Sequence, residues 1–424
     1  MTKKFGLIGK TLKHSFSKPI HSLLGDYSYE LYEIKPEDIK EFVLSGKLDG
    51  FNVTIPYKKD VIPYLDYVDE RAKAIGAVNT VVYRNGKVLG FNTDFDGIKY
   101  MLDRAGIVVK DKNVLILGSG GTSATARAVA TSLGAKSVKI LSRTGEINYD
   151  NYKDTAKESE VVINTTPVGM YPHNGESAVE LETLCGLECV IDVVYNPAKT
   201  KLLLDAERLN IKCANGLGML VAQAAAASRM FLGLEYDEDY LKGEVERILA
   251  RLSSETKNIL LIGMPGCGKS TVGRILAEKL GRPFFDADEE LVKAVGTAIP
   301  DIFAREGEAG FRHYETETLR RLTKESGCVI SAGGGAVTVN ENHDLMRQNS
   351  IVLWLQRDIA LLPSEGRPLS QANSLSAMYE KRRPMYEAAA DYAFTNDTSA
   401  EQCADSIIHT LFTCSGGEGP RQGL

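Results

Sequence analysis

The sequence predicts an α/β protein of two or three domains that is built on parallel sheets. The chain has 424 residues, which is enough for more than one domain. Twice along it an apolar run of strand length leads into a glycine-rich turn and then a helical pattern, at 113–133 and at 258–280. This order of strand, glycine turn and helix is typical of α/β domains that hold phosphate groups.

Composition indicates an ordinary globular chain. Hydrophobic residues make up 43% and charged residues 25% of the chain, which are ordinary values. The net charge of -6 argues against a nucleic-acid or membrane partner, and no window is apolar for long enough to span a bilayer. The N-terminus lacks the apolar segment of a signal peptide. Seven cysteines without ligand-like clustering favour reduced thiols in the cytoplasm, and the oligomeric state stays open.

The first 100 residues alternate strand-like runs with polar segments. The predicted strands are Lys4–Ile8, Tyr29–Ile34, Gly50–Ile55, Val78–Tyr83 and Lys87–Phe91, the last two joined by a hairpin turn at Asn85-Gly86. Polar residues follow several of these runs, as they do around clefts in α/β proteins. Ser15 and Ser17, before a helix that begins near Pro19, suit an oxyanion site or a simple helix cap equally well. Lys58 after the third strand is, on its own, typical of a solvated surface residue.

The glycine turn after the strand at 113–117 predicts a pyrophosphate site. Its spacing is G-x-G-G over Gly118–Gly121, which is shorter than the full dinucleotide fingerprint. The next strand, Val138–Leu141, ends in Ser142-Arg143-Thr144. An arginine between two hydroxyls suits a ribose 2′-phosphate, which favours NADP over NAD; the alternative is an ordinary charged loop.

Two buried strands and two helices complete this half of the chain. The strands are predicted at Val161–Ile163 and Val190–Val193, an alanine-rich helix ends near Leu232, and an amphipathic helix covers Glu238–Leu252. The segment Ser253–Lys257 is the best domain boundary, and it is short and polar, not a long flexible tether.

The run Gly263–Ser270 matches G-x-x-x-x-G-K-[ST] between a strand and a helix. Backbone N–H groups must curl around phosphate oxygens there, and glycines keep side chains out of the way. Lys269 is expected to reach the β- and γ-phosphates and Ser270 to hold Mg²⁺. A glycine-rich turn without a ligand is the alternative, and the complete spacing with Lys-Ser favours the nucleotide.

Downstream residues add carboxylates, glycines and arginines. We predict that Asp286 and Asp288 lie on one face at the end of a strand, because residues i and i+2 share a face. Asp286 would then support Mg²⁺ with Ser270, and Asp288 would meet a substrate hydroxyl. Each arginine taken singly is typical of a solvated surface charge, and 414–424 is predicted to be a disordered tail.

Several motifs in order make the first ~250 residues resemble shikimate dehydrogenase. They are Ser15-Phe16-Ser17, Asn52 to Lys58, Gly76 to Thr80, Asn92-Thr93-Asp94, Gly118 to Gly121, Ser142 to Thr144, Asn164 to Met170 and Gly216 to Gln223. The resemblance implies that Lys58 and Asp94 form the catalytic pair and that Ser15 and Ser17 hold the substrate carboxylate. It further implies substrate contacts at Thr54, Asn79, Tyr195 and Gln223. The implied NADP contacts are Gly118, Ser119, Gly120, Gly121, Thr122, Ser142, Arg143, Thr144, Val193, Gly216 and Met219.

From about Thr256 the chain is similar to shikimate kinase. The matching residues are the phosphate loop, Asp286-Ala287-Asp288, Phe311-Arg312 with Glu315, Gly333 to Gly335, Arg367-Pro368-Leu369, and Arg382 with Pro384 and Tyr386. The resemblance implies a shikimate site at Asp288, Arg312, Gly333, Gly334, Gly335 and Arg382. The implied ATP contacts are Gly263, Met264, Pro265, Gly266, Cys267, Gly268, Lys269, Ser270, Thr271 and Arg367, the last from a lid whose segment, 358–383, is shorter than the family's.

The resemblance implies a bifunctional enzyme of the shikimate pathway that uses NADP(H), ATP and Mg²⁺. It implies a substrate-binding domain at 1–100 completed by helices at about 216–252, a Rossmann-like NADP domain at 101–215, and a P-loop kinase domain with a parallel sheet at 257–413. Three rival hypotheses remain at this point. The second half could bind nucleotide only as a regulator, the first half could be an NAD-dependent quinate or shikimate dehydrogenase, or both sites could be inactive.

Overall fold

The computed structural model describes residues 2–12, 15–235, 237–362 and 372–412, and describes side chains in the last range from Leu375 onward. The chain forms two compact units, Met1–Arg251 and Leu252–Leu424. The predicted boundary at Ser253–Lys257 falls at the end of a helix that runs from Glu238 to Thr256, so the polar segment is helical and not a loop.

Unit 1 holds a mixed six-stranded sheet near its N-terminus. Its strands are β1 (Lys4–Gly9), β2 (Ser28–Glu33), β3 (Gly50–Val53), β4 (Tyr67–Val68), β5 (Thr80–Arg84) and β6 (Lys87–Phe91), in the order β2-β1-β3-β5-β6-β4. The predicted hairpin is confirmed, since β5 and β6 pair antiparallel and both turn residues, Asn85 and Gly86, have positive φ.

The second sheet of unit 1 is fully parallel and has five strands. They are β7 (Asn113–Leu117), β8 (Ser137–Leu141), β9 (Val161–Asn164), β10 (Cys189–Asp192) and β11 (Lys212–Ala214), in the order β11-β10-β9-β7-β8. Alternate residues of β7 enter different cores: Val114 and Ile116 belong to one buried cluster, Leu115 and Leu117 to another. Both faces of this sheet are therefore covered, as the continuous apolar runs predicted.

The helices of unit 1 pack around these two sheets. They are α1 (Ser17–Leu24), α2 (Ile39–Leu44), α3 (Glu70–Ile75), α4 (Asp94–Arg104), α5 (Gly121–Ser132), α6 (Tyr152–Thr155), α7 (Lys201–Arg208), α8 (Leu217–Leu232) and α9 (Glu238–Thr256). The first residue of α4 is Asp94 and the first residue of α5 is Gly121, so both helices begin at residues that the sequence assigned to sites.

Unit 2 has one parallel sheet of five strands covered by helices. The strands are β12 (Asn258–Ile262), β13 (Phe284–Asp286), β14 (Val329–Ser331), β15 (Ser350–Gln356) and β16 (Tyr392–Thr395), in the order β13-β14-β12-β15-β16. The helices are α10 (Lys269–Leu280), α11 (Ala287–Val295), α12 (Ile299–Leu322), α13 (Asn340–Asn349), α14 (Ala372–Ala389) and α15 (Ala400–Phe412). The central strand β12 is buried along its whole length and leads directly into the phosphate loop.

These observations confirm the predicted α/β class. Within the described ranges, none of the helices is both long and apolar enough to cross a membrane. The six cysteines in those ranges are free thiols.

Candidate active sites

The six-stranded sheet of unit 1 brings four chain segments together at one edge, which is the side where β1, β3 and β6 end and β5 begins. Ile8 of β1 pairs with Val53 of β3 in parallel, so the residues after both strands leave the sheet together. Thr80, at the start of the antiparallel strand β5, pairs with Asn52 on one side and with Phe91 at the end of β6 on the other. Segments that are far apart in sequence, at 10–12, 54–58, 79 and 92–94, therefore meet along this edge.

Lys58 and Asp94 form an ion pair at this edge. Lys58 Nζ donates to Asp94 Oδ2 at 2.6 Å, and the two side chains are only 12% and 7% exposed. Asn79 Nδ2 donates to the other carboxylate oxygen, Oδ1, at 2.9 Å, and to Gln223 Oε1 at 3.4 Å. Four of the predicted dehydrogenase residues thus lie in one cluster whose carboxylate is held through both oxygens.

A buried hydrogen-bond network fixes the orientation of Asn79. The backbone N–H of Thr93 donates to Asn79 Oδ1 at 2.7 Å, so the amide nitrogen must face Asp94. Behind it, Asn52 Nδ2 donates to Thr80 Oγ1 at 3.0 Å, and Asn52 Oδ1 accepts from the Tyr29 hydroxyl at 2.8 Å. Our reading of the sequence gave Asn52 no role, although it begins the N-V-T segment that carried the resemblance.

The predicted carboxylate-binding serines lie at the start of α1. The N–H of Ser17 donates to Ser15 Oγ at 3.2 Å. The ring of Tyr195 packs on the ring of Phe16, the residue between the two serines in the chain, and the ring centroids are 5.3 Å apart. Burial raises the pKa of the Tyr195 hydroxyl, which keeps it protonated as a hydrogen-bond donor. Thr54 lies at the end of β3 against β1, where its Cγ2 is 2.7 Å from the position that a Cβ would take on Gly9.

The glycine turn after β7 lies close to the Lys58–Asp94 pair. Gly118 has a φ of 105° and is closed in by Thr165 and Thr166, each with an atom 3.0 Å from a Cβ added there. A Cβ on Gly120, the N-cap of α5, would meet nothing within 4 Å, and one on Gly121 would lie 3.6 Å from Lys58 Cδ. The turn and the free N–H groups of α5 therefore border a space that ends at Lys58.

Three other predicted cofactor residues, Val193, Gly216 and Met219, take part in close backbone contacts. A Cβ on Gly216 would lie 1.9 Å from the carbonyl oxygen of Val193, so only glycine fits where the chain turns into α8. One turn further along, the carbonyl oxygen of Met219 is 2.6 Å from where a Cβ would stand on Gly97 of α4. Close packing of α8 on the helix that begins at Asp94 thus brings the predicted cofactor residues Gly216 and Met219 near this carboxylate.

Arg143 lies exposed at the end of β8, next to the half-buried Ser142. The loop closes on itself, because the N–H of Ser142 donates to the carbonyl of Ile147 at 3.0 Å. Burial raises the pKa of the nearby Tyr149 hydroxyl, and the positive charge of Arg143 acts in the opposite direction. A phosphate beside Arg143 would thus meet a cation and hydroxyl groups.

Asp192, the last residue of β10, is a buried carboxyl that directly precedes the predicted cofactor residue Val193. Asn164 Nδ2, the N–H of Val194 and Thr200 Oγ1 donate to it at 2.9, 3.0 and 2.6 Å. Burial nevertheless raises its pKa to about 6, against the effect of these three donors.

In unit 2 the phosphate loop has the backbone that its glycines predicted. Gly263, Gly266 and Gly268 have φ values of 144°, 84° and 96°. Lys269 Nζ donates to the carbonyls of Gly263 at 3.0 Å and Met264 at 3.1 Å, so the ammonium lies within the curve of the loop. α10 begins at Lys269 and presents its free N–H groups to the same space.

The prediction that Asp286 and Asp288 share a strand face is wrong. β13 ends at Asp286, which caps α11: its Oδ1 accepts the N–H of Asp288 at 3.1 Å, and its Oδ2 accepts the Ser270 hydroxyl at 2.5 Å. Asp288 is in the first helical turn, because the capping carboxylate favours a helix at once after the strand. Asp286 therefore lies beside Ser270, and Asp288 lies beside the glycine turn that follows β14.

The glycine turn after β14 is surrounded by the predicted shikimate residues. A Cβ on Gly333 would lie 2.4 Å from Glu315 Oε1 and 3.1 Å from Asp288 Oδ1, and one on Gly335 would lie 2.3 Å from Arg312 Nη2. The carbonyl of Gly334 accepts from Arg382 Nη1 at 3.0 Å and from the Tyr386 hydroxyl at 2.6 Å, which holds the turn against α14. The structure therefore brings together all the described residues of the predicted site.

Arg312 is positioned by two carboxylates. Its Nη1 donates to Glu315 Oε2 at 2.7 Å and its Nη2 to Glu308 Oε1 at 3.1 Å. Glu315 is 2% exposed, and its burial raises the pKa of this carboxyl although Arg312 acts to lower it. A cavity of about 500 Å³ opens on the other side of Asp288, where residues of α11 and the start of α12 line it: Asp288, Glu289, Val292, Lys293 and Ile299.

Two predictions fall on residues outside the ranges that the structure describes. Arg367, the predicted lid arginine, and the predicted tail at 414–424 both lie outside the described residues. Among those that are described, no group of three or more His, Cys, Asp or Glu side chains is arranged to hold a metal ion.

Comparison with known proteins matches both units. A family model of the shikimate dehydrogenase substrate binding domain matches residues 7–81, and a shikimate kinase model matches residues 265–412. The shikimate dehydrogenase (NADP(+)) of Alkaliphilus oremlandii is 42% identical over 275 residues, which cover 57% of this chain and 95% of that protein.

Solved structures of shikimate dehydrogenases are similar to part of the chain. A chorismate mutase/shikimate 5-dehydrogenase fusion protein from Clostridium acetobutylicum is 36% identical, with a TM-score of 0.56 over 60% of this chain and 100% of that chain. A shikimate dehydrogenase in complex with NADP+ is 36% identical, with a TM-score of 0.51 over 58% of this chain and 96% of the other.

Fold and site geometry define a dehydrogenase with a glycine-turn cofactor site, joined in one chain to a phosphate-loop kinase. The chain belongs to the shikimate dehydrogenase family, and its second unit carries a shikimate kinase domain. The resemblance inferred from the sequence is thereby confirmed for both halves, and the chain is a bifunctional enzyme of the shikimate pathway.

Proposed function

We propose that the chain reduces 3-dehydroshikimate to shikimate with NADPH and then phosphorylates shikimate to shikimate 3-phosphate with ATP. The observation that carries the first reaction is the Lys58–Asp94 pair, 2.6 Å apart and nearly buried, beside the glycine turn at Gly121. For the second reaction it is the cluster of Asp288, Arg312 and Arg382 around the Gly333–Gly335 turn in the phosphate-loop unit.

In the first reaction the turn at Gly118–Gly121 would hold NADPH, which would supply the hydride that reduces the carbonyl carbon of the substrate. As the carbonyl oxygen gains negative charge, the Lys58 ammonium donates a proton to it. Asp94 holds that ammonium through Oδ2, while Asn79 keeps Oδ1 engaged, so the donor cannot turn away. In the reverse direction Lys58 accepts the hydroxyl proton.

Recognition of this substrate needs a carboxylate site and hydroxyl partners. Ser15 and Ser17 stand at the start of α1, where hydroxyls and a free N–H suit a carboxylate. Tyr195, Thr54 and Gln223 are assigned to the remaining oxygens of the substrate. For the cofactor, Arg143 with Ser142 and Thr144 is assigned to the 2′-phosphate, which makes NADP(H) the expected nucleotide.

In the second reaction Asp288 orients and accepts the proton of the attacking hydroxyl, whose oxygen then forms a bond to the γ-phosphorus while the bond to ADP breaks. Arg312 and Arg382 hold the substrate carboxylate, because a guanidinium donates two parallel hydrogen bonds. Lys269 and the N–H groups of the loop neutralise charge on the phosphates, and Arg367 is assigned to the transferred phosphoryl group.

Ser270 and Asp286 are the residues that would hold Mg²⁺. One hydroxyl and one carboxylate beside the phosphate loop fit this ion, which keeps waters and phosphate oxygens as its other ligands. Held there, Mg²⁺ would neutralise negative charge on the phosphates of the nucleotide. The Ser270 hydroxyl donates to Asp286 Oδ2, so the two proposed ligands are adjacent.

Separate assays on the purified chain test the proposal. With shikimate and NADP+, NADPH should form, and the same assay with NAD+ should be much slower. With shikimate and ATP in Mg²⁺ buffer, ADP should form only when shikimate is present. ATP binding without shikimate-dependent ADP formation would support a regulatory nucleotide module and contradict the kinase assignment. Equal rates with NAD+ would contradict the role given to Arg143.

A further inference from the structure

The end of β16 reaches the phosphate loop through a buried asparagine. Asn396 follows the last residue of β16 and is 4% exposed. Its Nδ2 donates to the carbonyl of Cys267, inside the loop, at 2.8 Å. Its own N–H donates to the carbonyl of Gln356 at the end of β15, also at 2.8 Å, so the backbone that carries the amide is pinned to the sheet.

The orientation of this carboxamide is fixed by chemistry. The carbonyl oxygen of Cys267 can only accept hydrogen bonds, so the atom that faces it must be the amide nitrogen. The contact is also tight, because a Cβ on Gly268 would lie 2.4 Å from Asn396 Nδ2. Gly268 has a φ of 96°, so the peptide bond between Cys267 and Gly268 is held between a left-handed glycine and the asparagine.

In a trans peptide the carbonyl and the following N–H point in opposite directions. Holding the Cys267 carbonyl toward β16 therefore turns the N–H of Gly268 away from β16. That N–H immediately precedes Lys269, whose ammonium lies inside the curve of the loop. N–H groups turned into this curve are the ones that contact phosphate oxygens in such loops.

We propose that Asn396 is a positioning residue for nucleotide binding: its amide sets the Cys267–Gly268 peptide so that the Gly268 N–H is ready for a phosphate of ATP or ADP. Asn396 itself touches no nucleotide in this proposal. The residue comes 127 positions after Lys269 by numbering, and no part of the G-x-x-x-x-G-K-[ST] motif points to it. The inference rests on the proposed kinase function, since it presupposes a phosphate in the loop.

The test compares three variants of the full chain. Asn396→Asp keeps the shape but replaces the donor by an oxygen, and Asn396→Ala removes the group. The matched control is Asn258→Ala, which removes another fully buried asparagine of the same sheet, one that contacts Glu325 and Cys328 at the opposite end of β12 from the loop. The measurements are the dissociation constant of ADP by calorimetry and the KM values for ATP and shikimate.

Both changes at Asn396 should weaken ADP binding by about 10-fold to 100-fold, as expected when an oriented donor to a charged group is lost. KM for ATP should rise with them, while KM for shikimate and the dehydrogenase rate of the same chain should change less than about twofold. Asn258→Ala should lower the stability of unit 2 and leave ADP affinity unchanged.

Wild-type ADP affinity in both Asn396 variants would overturn the proposal, and so would an equal loss in Asn258→Ala, which would indicate a general effect of destabilisation. Failure of the wild-type chain to bind ADP at all would instead contradict the kinase function itself. Intact dehydrogenase activity shows in each case that unit 1 is folded, and the fluorescence of Trp354, the single tryptophan of the chain, reports on unit 2.

Discussion

Lys58 Nζ and Asp94 Oδ2 are 2.6 Å apart, although 36 residues separate them in the chain. β5 pairs antiparallel with both β3 and β6, so β3 and β6 end at the same edge of the sheet. Lys58 follows β3 and Asp94 follows β6, which brings the two side chains together. A Cβ added to Gly121, at the start of α5, would lie 3.6 Å from Lys58 Cδ. The ion pair therefore lies where segments from both sheets of unit 1 come close to each other.

Lys58→Ala should lower dehydrogenase kcat by about 10²-fold to 10⁴-fold, because the developing alkoxide loses its proton donor. Asp94→Asn should give a smaller loss, since the ammonium then keeps a neutral hydrogen-bond partner. Steady-state rates with shikimate and NADP+ measure both effects. Kinase activity of the same preparations should stay at the wild-type level; loss of both activities from either change would contradict separate sites.

Arg143→Ala should change cofactor preference more than substrate binding. Removing the guanidinium leaves a 2′-phosphate without its cation, so KM for NADP+ should rise about 10-fold to 100-fold while KM for NAD+ changes little. The ratio of kcat/KM for the two cofactors is the measurement. An exposed arginine in the same unit, Arg208→Ala, serves as the control, and an unchanged ratio in Arg143→Ala would show that the loop does not read the 2′-phosphate.

Gly335→Ala tests the packing of the shikimate site in unit 2. The φ of Gly335 is -106°, which any residue adopts, so the backbone is not strained by the change. The new Cβ would, however, stand 2.3 Å from Arg312 Nη2 and 2.5 Å from Nη1, and must displace the guanidinium. KM for shikimate in the kinase reaction should rise about tenfold or more, with KM for ATP unchanged. Equal KM values in variant and wild type would place the substrate carboxylate elsewhere.

The buried carboxyl of Asp192 should make the stability of unit 1 depend on pH. Its folded-state pKa, raised to about 6 by burial, exceeds the ordinary value of 3.8, so the folded chain holds this proton more tightly than the unfolded chain. Its contribution is fully present below the unfolded pKa and is lost as pH rises through about 6, a difference on the order of 3 kcal/mol.

Asp192→Asn should therefore flatten the pH dependence of unfolding between pH 4 and pH 7, by about this amount. Thermal unfolding of the transition that NADP+ shifts upward identifies unit 1, since a ligand stabilises only the fold that binds it. Asp150→Asn, at an exposed position, provides the comparison. The same slope in Asp192→Asn and in the wild type would contradict the assignment to this carboxyl.

Much of this architecture was predictable because local chemistry and fold agree. Apolar runs ended where β7 and β12 end, and glycines stood where positive φ or close approach requires them, as at Gly118 and Gly268. The clustering of Lys58 with Asp94 came from the family resemblance, since a lysine after a strand carries no such signal by itself.

What could not be predicted depends on tertiary contacts or on competition between local structures. Alternation along a strand placed Asp288 beside Asp286, but the carboxylate of Asp286 caps a helix and ends the strand first. Asn52 and Asn396 form hydrogen bonds with residues that are 28 and 129 positions away in the chain. The hydrophobic periodicity of helices and strands relates residues only a few positions apart, so it cannot predict these pairs. Their roles follow only from the register of the sheets.

The most direct test of the central claim is a coupled reaction of the purified chain with 3-dehydroshikimate, NADPH, ATP and Mg²⁺, in which NADPH loss and ADP formation are followed together. We predict one ADP for each NADPH consumed, with shikimate 3-phosphate as the final product. Lys269→Ala should leave NADPH loss intact, abolish ADP formation and accumulate shikimate. NADPH loss in the wild type without ADP formation, or ADP formation without dependence on NADPH, would contradict two consecutive activities in one chain.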